Sequence, residues 1–336
     1  MKHFEFWHPR LFEAPYYAYL LARSALKGMG PRQLPKANYA LDHGELGLGS
    51  KYSTQLKFDQ SYFPATVRLD FPLEDPEPLS LFVAQVGYPI IIKPENGAVG
   101  KAVYKVNDAT EQDEVVAGLS GSFLVQAYCT YPEEFGVFYV KKQGIQRITG
   151  INQKHFPTVI GDGVSTLEQL AANHPRRTHH WQLFLKHLDL SVVPEDGESV
   201  RLSFVGSHTM GCKFTNDTGL VTRKLEKAIY KFCDSEPGFH FGRLDVRSES
   251  VETFQAGEFV VMEVNGIASL PTHMFDPDGR LIDAYRIFLE HGRHLVDAAY
   301  ENRHRQMHID SIGVIWERAK QQAAELNEAH DTALNQ

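Results

Sequence analysis

Four polar residues that could bind a metal and a phosphate group lie in two short stretches of the sequence. Arg243 and Asp245 are two residues apart in the first stretch, and Glu263 and Asn265 are two apart in the second. On a β-strand, residues two apart point to the same face. If the two strands are neighbours, Asp245 joins the second pair in one cluster of oxygen ligands. Mg²⁺ takes one or two carboxylates and completes its shell with water and substrate phosphates. The spacing therefore predicts a magnesium site, with Mn²⁺ as a second suitable ion; polar residues on a solvated edge strand are the alternative.

A third stretch could bind phosphate. The apolar run 88–93 ends in Lys93, and a loop containing Gly97 and Gly100 follows. Glycines let backbone N–H groups approach phosphate oxygens, and a lysine supplies positive charge. The loop does not match a P-loop, because the pattern Gly-x4-Gly-Lys-Ser/Thr fails at both of its ends. A phosphate-binding loop is predicted, and a plain hairpin turn is the alternative.

The elements that must position these residues form a mixed pattern of short strands and helices. Strands are predicted at 88–93, 102–106, 123–127, 135–141, 145–151, 199–205, 239–247 and 258–264. Helices are predicted at 79–86, 281–300 and 312–326. Ser165 and Glu168 form a predicted capping box that opens a helix ending near Ala172. Residues 28–50, rich in Gly and Pro, are predicted to be loop.

The first 30 residues are rich in aromatic and leucine side chains, and they predict an amphipathic helix. The members of this set are Trp7, Phe12, Tyr16, Tyr17, Tyr19, Leu20 and Leu21. Aromatic stripes usually belong to a core, so packing on the body of the protein is favoured. Contact with a membrane surface is the alternative.

Composition excludes several classes of protein. The chain has 336 residues, 43% hydrophobic and 23% charged, which indicates a globular protein of about two domains. Lys and Arg number 34 against 42 Asp and Glu, so the net charge of -8 disfavours nucleic acid as a partner. The 3 cysteines form no Cys-x-x-Cys pair, there is no apolar run of about 18 residues, and the N-terminus does not resemble a signal peptide. We therefore expect a cytoplasmic protein that acts on small molecules.

The order of the three motifs resembles the ATP-grasp ligases of the D-alanine–D-alanine ligase type, with features of cyanophycin and glutathione synthetases. The resemblance covers about residues 50–275. It implies an α+β ATP-grasp fold, in which two α+β lobes hold ATP between them after a short N-terminal segment. The implied division is an N-terminal region at 1–78, a small lobe at 79–145, a large lobe at 146–300 and a C-terminal helix and tail at 301–336.

The resemblance also implies roles for individual residues. Lys51 and Lys93, with Gly97 and Gly100 of the loop, would bind the ATP phosphates. The segment with Gln126 and Tyr128 would meet adenine, although Gln126 stands where the family commonly has Glu. Glu134 would bind the ribose, with Glu133 as the alternative.

The implied catalytic residues are Arg243, facing the transferred phosphoryl group, and Lys213, reaching the γ-phosphate. Asp245, Glu263 and Asn265 would hold two metal ions, with Glu263 bridging them. Residues 266–273 differ from the Pro-Gly-Met-Thr type of segment that helps to shape the acceptor site of D-alanine ligases. The resemblance therefore supports the chemistry and leaves the substrate unnamed.

The implied activity is that of an ATP-dependent carboxylate–amine ligase. Such an enzyme forms an acyl phosphate and then an amide, and releases ADP and phosphate. The alternatives are a non-amine acceptor, a kinase-like transfer, or a non-catalytic nucleotide-binding module held at a membrane. Dimers are common in the family, so a homodimer is one expected assembly.

Overall fold

The computed structural model describes residues 4–47, 49–96, 102–176, 188–203, 205–206, 211–311 and 313–320. Its strands are β1 (Thr66–Phe71), β2 (Ile90–Pro94), β3 (Tyr104–Val106), β4 (Gly121–Ala127), β5 (Glu133–Lys142), β6 (Ile145–His155), β7 (Thr158–Ile160), β8 (Ser199–Arg201), β9 (Lys213–Asn216), β10 (Phe241–Ser248) and β11 (Val260–Asn265). Its α-helices are α1 (Pro9–Leu26), α2 (Lys51–Gln55), α3 (Glu77–Val86), α4 (Ala109–Ala117), α5 (Leu167–Ala172), α6 (Arg223–Asp234), α7 (Val251–Ala256) and α8 (Leu281–Glu301). A further helical stretch covers 313–320. The predicted α+β class is confirmed.

The first sheet has four antiparallel strands in the order β1-β4-β2-β3. Ile90, Ile92 and Val125 pack in one buried cluster with side chains of α3 and α4. Because side chains alternate along a strand, the neighbouring Lys93 and Gln126 belong to the opposite face. The sheet therefore has one apolar face and one face that carries polar groups.

The second sheet has five antiparallel strands in the order β11-β10-β5-β6-β9. Phe135, Val137 and Leu244 belong to the largest buried cluster, which also includes side chains of α6 and α7. On the opposite face, the alternate residues from Glu134 to Arg243 are polar, charged or glycine. Further along the same strands, Phe138 and Phe241 are buried and contact His291 of α8. Antiparallel sheets often divide in this way between a core face and a face open to ligand or solvent.

Helix α1 packs along α8 in a parallel arrangement. The ring of Tyr16 stacks on that of Phe288, with centroids 3.9 Å apart. Gly292 permits the close approach, because a Cβ atom there would lie 2.8 Å from the Tyr16 ring and 3.1 Å from Leu20. The favoured prediction, a helix packed on the body of the protein, is confirmed.

Several predicted boundaries differ from the structure. The capping box is formed by Thr166 and Gln169, one residue later than predicted, because Ser165 instead donates to Asp162 at 2.7 Å. Residues 28–50 include two 3₁₀ helices, Pro31–Asn38 and Asp42–Gly44, where only loop was predicted.

Some predicted strands and helices are also shorter than expected. The strand predicted at 199–205 ends at residue 201, and that at 102–106 begins at residue 104. The last predicted helix is described only over 313–320, and the rest of 312–326 lies outside the described residues.

The two sheets do not coincide with the predicted lobe boundaries. Strand β1 joins the four-stranded sheet from within the predicted N-terminal region, and β5 joins the five-stranded sheet from within the predicted small lobe. This arises because β1 pairs with β4 across 50 residues of chain, a pairing that local sequence patterns do not reveal. The division into lobes stays a prediction.

Candidate active site

A row of residues crosses four strands on the polar face of the five-stranded sheet. Glu263 lies opposite Asp245, Asp245 opposite Gly136, and Gly136 opposite Asn152. Residues directly opposite one another in an antiparallel sheet point to the same face. The structure therefore brings the carboxylates of Asp245 and Glu263 to adjacent positions of one surface.

Gly136 leaves room at the centre of this row. A Cβ atom at this position would lie 2.2 Å from Oδ1 of Asn152 and 3.2 Å from the Arg243 side chain. Both side chains therefore occupy the space above the glycine.

Asp245 is buried and is surrounded by donors. Its carboxylate accepts two hydrogen bonds from the Arg243 guanidinium, each 2.9 Å long, and lies 3.1 Å from the ammonium of Lys154. The amide of Asn265 donates to it at 3.1 Å. Burial opposes ionisation, but Arg243 and Lys154 outweigh it and hold the pKa of Asp245 below its ordinary value.

Glu134 forms a second charged centre on the same face. Its carboxylate binds Lys154 at 2.8 Å and Arg247 at 2.9 Å. Burial raises the pKa of Glu134, but these two cations outweigh it and hold the pKa below its ordinary value. Gly206 lies against the carboxylate, since a Cβ atom there would be 2.1 Å from Oε1. The residue predicted to bind ribose is thus already held by two cations.

Lys154 and Arg247 are functional candidates that the sequence motifs missed. Arg247 continues the alternation of Arg243 and Asp245 by two further residues, so the spacing could have revealed it. Lys154 lies opposite Glu134 in strand β6, beyond the predicted end of that strand at 151. Both face the same surface as the predicted residues.

Lys51 reaches the carboxylate row from outside both sheets. Its ammonium lies 2.8 Å from Glu263, and this pairing outweighs burial and lowers the pKa of that carboxyl. The preceding Ser50 caps helix α2 by accepting from Ser53 at 2.9 Å, and it also donates to Glu95. The start of α2 is thereby fixed to the end of β2.

Lys93, on strand β2 of the first sheet, lies close to Lys51 and Glu263. Its ammonium donates to Oε1 of Gln126 at 3.1 Å, and the Gln126 amide donates onward to Thr66 at 2.8 Å. Burial lowers the pKa of Lys93 to about 8, and the positive charge of Lys51 adds to the effect. Glu263 and Lys51 are electrostatic neighbours of Lys93, so the polar faces of the two sheets meet around these three residues.

The structure does not bring all of the predicted residues to this cluster. Lys213 is opposite His155 in strand β9, and the next residue, Phe214, is opposite Lys154. Because side chains alternate along a strand, Phe214 shares the face of Lys154 and Lys213 belongs to the other face of the sheet.

The other predicted residues also lie apart from the cluster or outside the described residues. The ring of Tyr128 lies beneath the ammonium of Lys105, 4.6 Å away. The other candidate for the ribose, Glu133, accepts from Gln153 at 2.6 Å. Gly97 and Gly100 lie outside the described residues.

Beyond Arg243 the polar face ends at His273. The imidazole covers Gly150, where a Cβ atom would lie 2.3 Å from the ring, and burial lowers the pKa of His273 to about 3. Its neighbour Thr272 donates to Asn152 at 2.9 Å. Within the described ranges, Nδ1 of His273 and Nδ2 of Asn152 are buried without a hydrogen-bond partner. Unpaired buried polar atoms are costly, so both atoms would gain from a polar partner at this end of the surface.

The predicted metal ligands have suitable chemistry for a divalent cation. Asp245 and Glu263 are opposite each other and Asn265 lies on the same face, so two carboxylates and one amide group lie side by side, with the amide nitrogen turned toward Asp245. An incoming ion would compete with the Lys51 ammonium for Glu263. Within the part of the chain that the structure describes, no three His, Cys, Asp or Glu side chains form a metal-binding group. The donor set fits a metal whose remaining ligands come from water and substrate.

Comparisons with known proteins give low similarity. No family model matches the chain, and no curated protein matches it. The D-alanine–D-alanine ligase of Bacillus anthracis is 13% identical, with a TM-score of 0.46 over 79% of this chain and 71% of that chain. The VanG D-Ala:D-Ser ligase of Enterococcus faecalis is 13% identical, with a TM-score of 0.43 over 75% of this chain and 62% of that one.

The bifunctional glutathione synthetase of Pasteurella multocida is 16% identical, with a TM-score of 0.38. It is matched over 71% of this chain, which spans only 36% of its length. These similar structures are ATP-grasp ligases, the class that the sequence motifs resemble.

Proposed function

We propose that the protein is an ATP-dependent carboxylate–amine ligase that works through an acyl phosphate and releases ADP and phosphate. The observation that carries this proposal is the excess of positive charge where the polar faces of the two sheets meet. The charged side chains there are the cations Lys51, Lys93, Lys154, Arg243 and Arg247 and the acids Glu45, Glu134, Asp245 and Glu263. Such an excess suits a polyphosphate and a carboxylate bound side by side.

The cations are also arranged in fixed positions. Arg243 is held by two bonds to Asp245, and Lys154 is held between Asp245 and Glu134. Charges that need not reorganise stabilise a transition state more than mobile ones do. Phosphoryl transfer depends almost entirely on such positioning and charge stabilisation, because the protein supplies no covalent chemistry.

The proposed reaction has two steps. A carboxylate oxygen of the acid substrate attacks the γ-phosphorus of ATP, the bond to the β-phosphate oxygen breaks, and ADP leaves. The amine nitrogen then attacks the acyl carbon, loses a proton, and displaces phosphate. Lys93 would hold the polyphosphate from the first sheet, while Arg243 would face the charge that develops on the transferred group.

Asp245, Glu263 and Asn265 would hold the divalent cation. A bound Mg²⁺ would neutralise phosphate charge and orient the polyphosphate. The chain's own contribution at this position is to keep the carboxylates ionised, which Arg243, Lys154 and Lys51 do through their ion pairs.

The proposal is tested by a screen of carboxylic acids against amino acids and other amines, with ADP release as the measurement and mass spectrometry of the products. At least one acid and amine pair should release ADP and yield a product joined by loss of water. Glu263→Gln should remain folded and lose this activity at every Mg²⁺ concentration, whereas Glu317→Gln, an exposed carboxylate near the C-terminus, should keep it.

Three results would separate the proposal from its alternatives. Phosphorylated acid without amide would indicate a kinase-like transfer. An ester or thioester product would indicate a non-amine acceptor. ATP binding without ADP release for every pair would leave a nucleotide-binding module and contradict the ligase.

A further inference from the structure

Helix α1 exposes a second apolar face that its packing on α8 does not use. Its eighteen residues include only three charged ones, Arg10, Glu13 and Arg23. The inner face is formed by Phe12, Tyr16 and Leu20, all buried. On the outer face, Leu11, Leu21 and Leu26 are exposed by 74%, 53% and 89%, and Trp7 just before the helix by 38%. We call these last four residues the outer face of α1.

A helix that is apolar on all sides normally has partners on all sides. Single exposed leucines need no explanation, but an aligned group of large apolar side chains indicates an interaction surface. Phe6 and Tyr17, each exposed by 52%, add aromatic rings beside the outer face. Aromatic and leucine side chains along one helix face are typical of helices that lie in a membrane interface.

Positive charge gathers at the C-terminal end of α1. Lys27, which caps the helix, lines a cavity of about 450 Å³ between the β5–β6 turn and the end of α8. The charged residues of this cavity are the cations Lys27, Lys142, Arg147, Arg293 and Arg303 and the acids Asp297 and Glu301. We call the five cations the basic rim.

The acids neutralise only part of the basic rim, although Glu290, next to the cavity, also pairs with Arg293 at 2.6 Å. Asp297 is shared by three cations, Arg23 at 3.0 Å, Lys27 at 3.0 Å and Lys142 at 3.2 Å. The C-terminal ends of α1 and α8 add roughly half a negative charge each, which still leaves an excess of positive charge. This excess occurs in a chain whose net charge is -8, so it is local.

We propose that the outer face of α1 and the basic rim together bind an anionic membrane surface. Leu11, Leu21 and Leu26 would enter the boundary between headgroups and acyl chains, and the rim would lie against the negative headgroups. Among the described helices, none has the length and apolarity needed to cross a bilayer, so the contact would be with one surface.

Charge favours a membrane over a second copy of the chain. Two copies packed in parallel would place one basic rim against the other, and two packed antiparallel would place each rim against Arg10 and Glu13, whose charges cancel. The rim therefore gains opposite charge in neither arrangement, whereas a surface of anionic lipids supplies it. Each lysine or arginine near such a surface adds to the attraction, and the effect weakens as salt is raised.

Flotation with vesicles tests the proposal. Full-length protein should bind vesicles of phosphatidylglycerol and phosphatidylcholine, bind pure phosphatidylcholine at least ten-fold more weakly, and dissociate as salt is raised. The variant with Leu11→Gln, Leu21→Gln and Leu26→Gln should lose at least ten-fold in binding. The matched control, Leu56→Gln with Leu81→Gln, changes leucines exposed by 54% and 62% elsewhere and should bind as the wild type does.

A second variant isolates the charge. Arg147→Gln with Arg293→Gln should weaken binding to the anionic vesicles while leaving binding to phosphatidylcholine unchanged. Equal binding to both vesicle types, equal loss in the Leu56 and Leu81 control, or no binding would overturn the proposal. So would light scattering that shows a dimer which the triple leucine variant abolishes, with no vesicle binding, since the outer face would then be a subunit interface. Unchanged melting temperatures confirm that the variants are folded.

Discussion

The half-buried position of Lys93, close to a second ammonium, predicts that ATP binding takes up a proton. Without nucleotide, burial and the nearby charge of Lys51 lower the pKa of Lys93 to about 8. A phosphate beside the ammonium favours the charged form and raises that pKa again. Nucleotide binding should therefore draw a proton onto Lys93 whenever the free protein has lost it.

The size of the effect follows from the titration of one group. With a pKa of about 8, roughly half of Lys93 is neutral at pH 8 and about a tenth at pH 7, so binding should take up about 0.5 and about 0.1 proton. The dissociation constant for ATP should rise about ten-fold between pH 7 and pH 9, because the free protein loses the Lys93 proton over this range. Titration calorimetry in buffers of different ionisation enthalpy measures both quantities.

Two variants make the test specific. Lys93→Arg keeps a charge at all these pH values, so it should bind ATP without the proton uptake. Lys141→Ala removes a lysine that pairs with Asp234 away from the cluster and should behave as the wild type does. Proton uptake that persists in Lys93→Arg would show that another group titrates.

The same lowered pKa has a consequence for stability without nucleotide. Because the folded pKa of Lys93 lies below its ordinary value of 10.5, its charge opposes folding below pH 8. This unfavourable contribution should be relieved between pH 8 and 10.5. Lys93→Met should therefore raise the free energy of unfolding at pH 7 more than at pH 10.

Further predictions concern the five-stranded sheet. Arg243→Ala should lower kcat by a factor on the order of 10² with little change in ATP affinity, and Arg243→Lys should not restore it, as steady-state kinetics would reveal. Lys154→Met leaves Glu134 without one of its cations and should destabilise the fold by about 3–5 kcal/mol in urea unfolding; a loss under 1 kcal/mol would contradict the role given to this pair. Gly136→Ala would bring a Cβ atom 2.2 Å from Asn152 and should cost about 1–3 kcal/mol, with most of it recovered in the double variant Gly136→Ala, Asn152→Ala.

The part of the site that lies on strands could be read from the sequence. Alternation fixes which residues share a face, and this sufficed to group Arg243 with Asp245 and Glu263 with Asn265. Strands β10 and β11 are also close in the chain, which favours their pairing, and they do pair. The same alternation extended by two residues would have included Arg247.

The rest depended on contacts between distant parts of the chain. Lys154 became part of the site because β6 pairs with β5 beyond the predicted end of the strand. The family resemblance implies a phosphate-binding role for Lys51. The local sequence predicts neither the helix that carries Lys51 nor its contact with Glu263. Lys213 shows the reverse case: it begins strand β9, which was not predicted, and its side chain belongs to the face opposite that of Lys154.

Asn38 joins the N-terminal region to the five-stranded sheet by four hydrogen bonds. Its fully buried side chain donates to the carbonyls of Gly44 and Phe241, at 3.1 and 2.8 Å, and accepts from the amides of His240 and Phe241, at 2.9 and 3.0 Å. The amide of Ile267 donates to Gly44 at 3.1 Å and adds a further tie. The segment that leads to Lys51 is therefore built into the sheet that carries Asp245 and Glu263. In evolutionary terms we expect this region to change together with the sheet and not as an exchangeable module, because an unrelated N-terminal segment joined to residues 50–275 would leave the backbone groups of His240 and Phe241 without these buried hydrogen bonds.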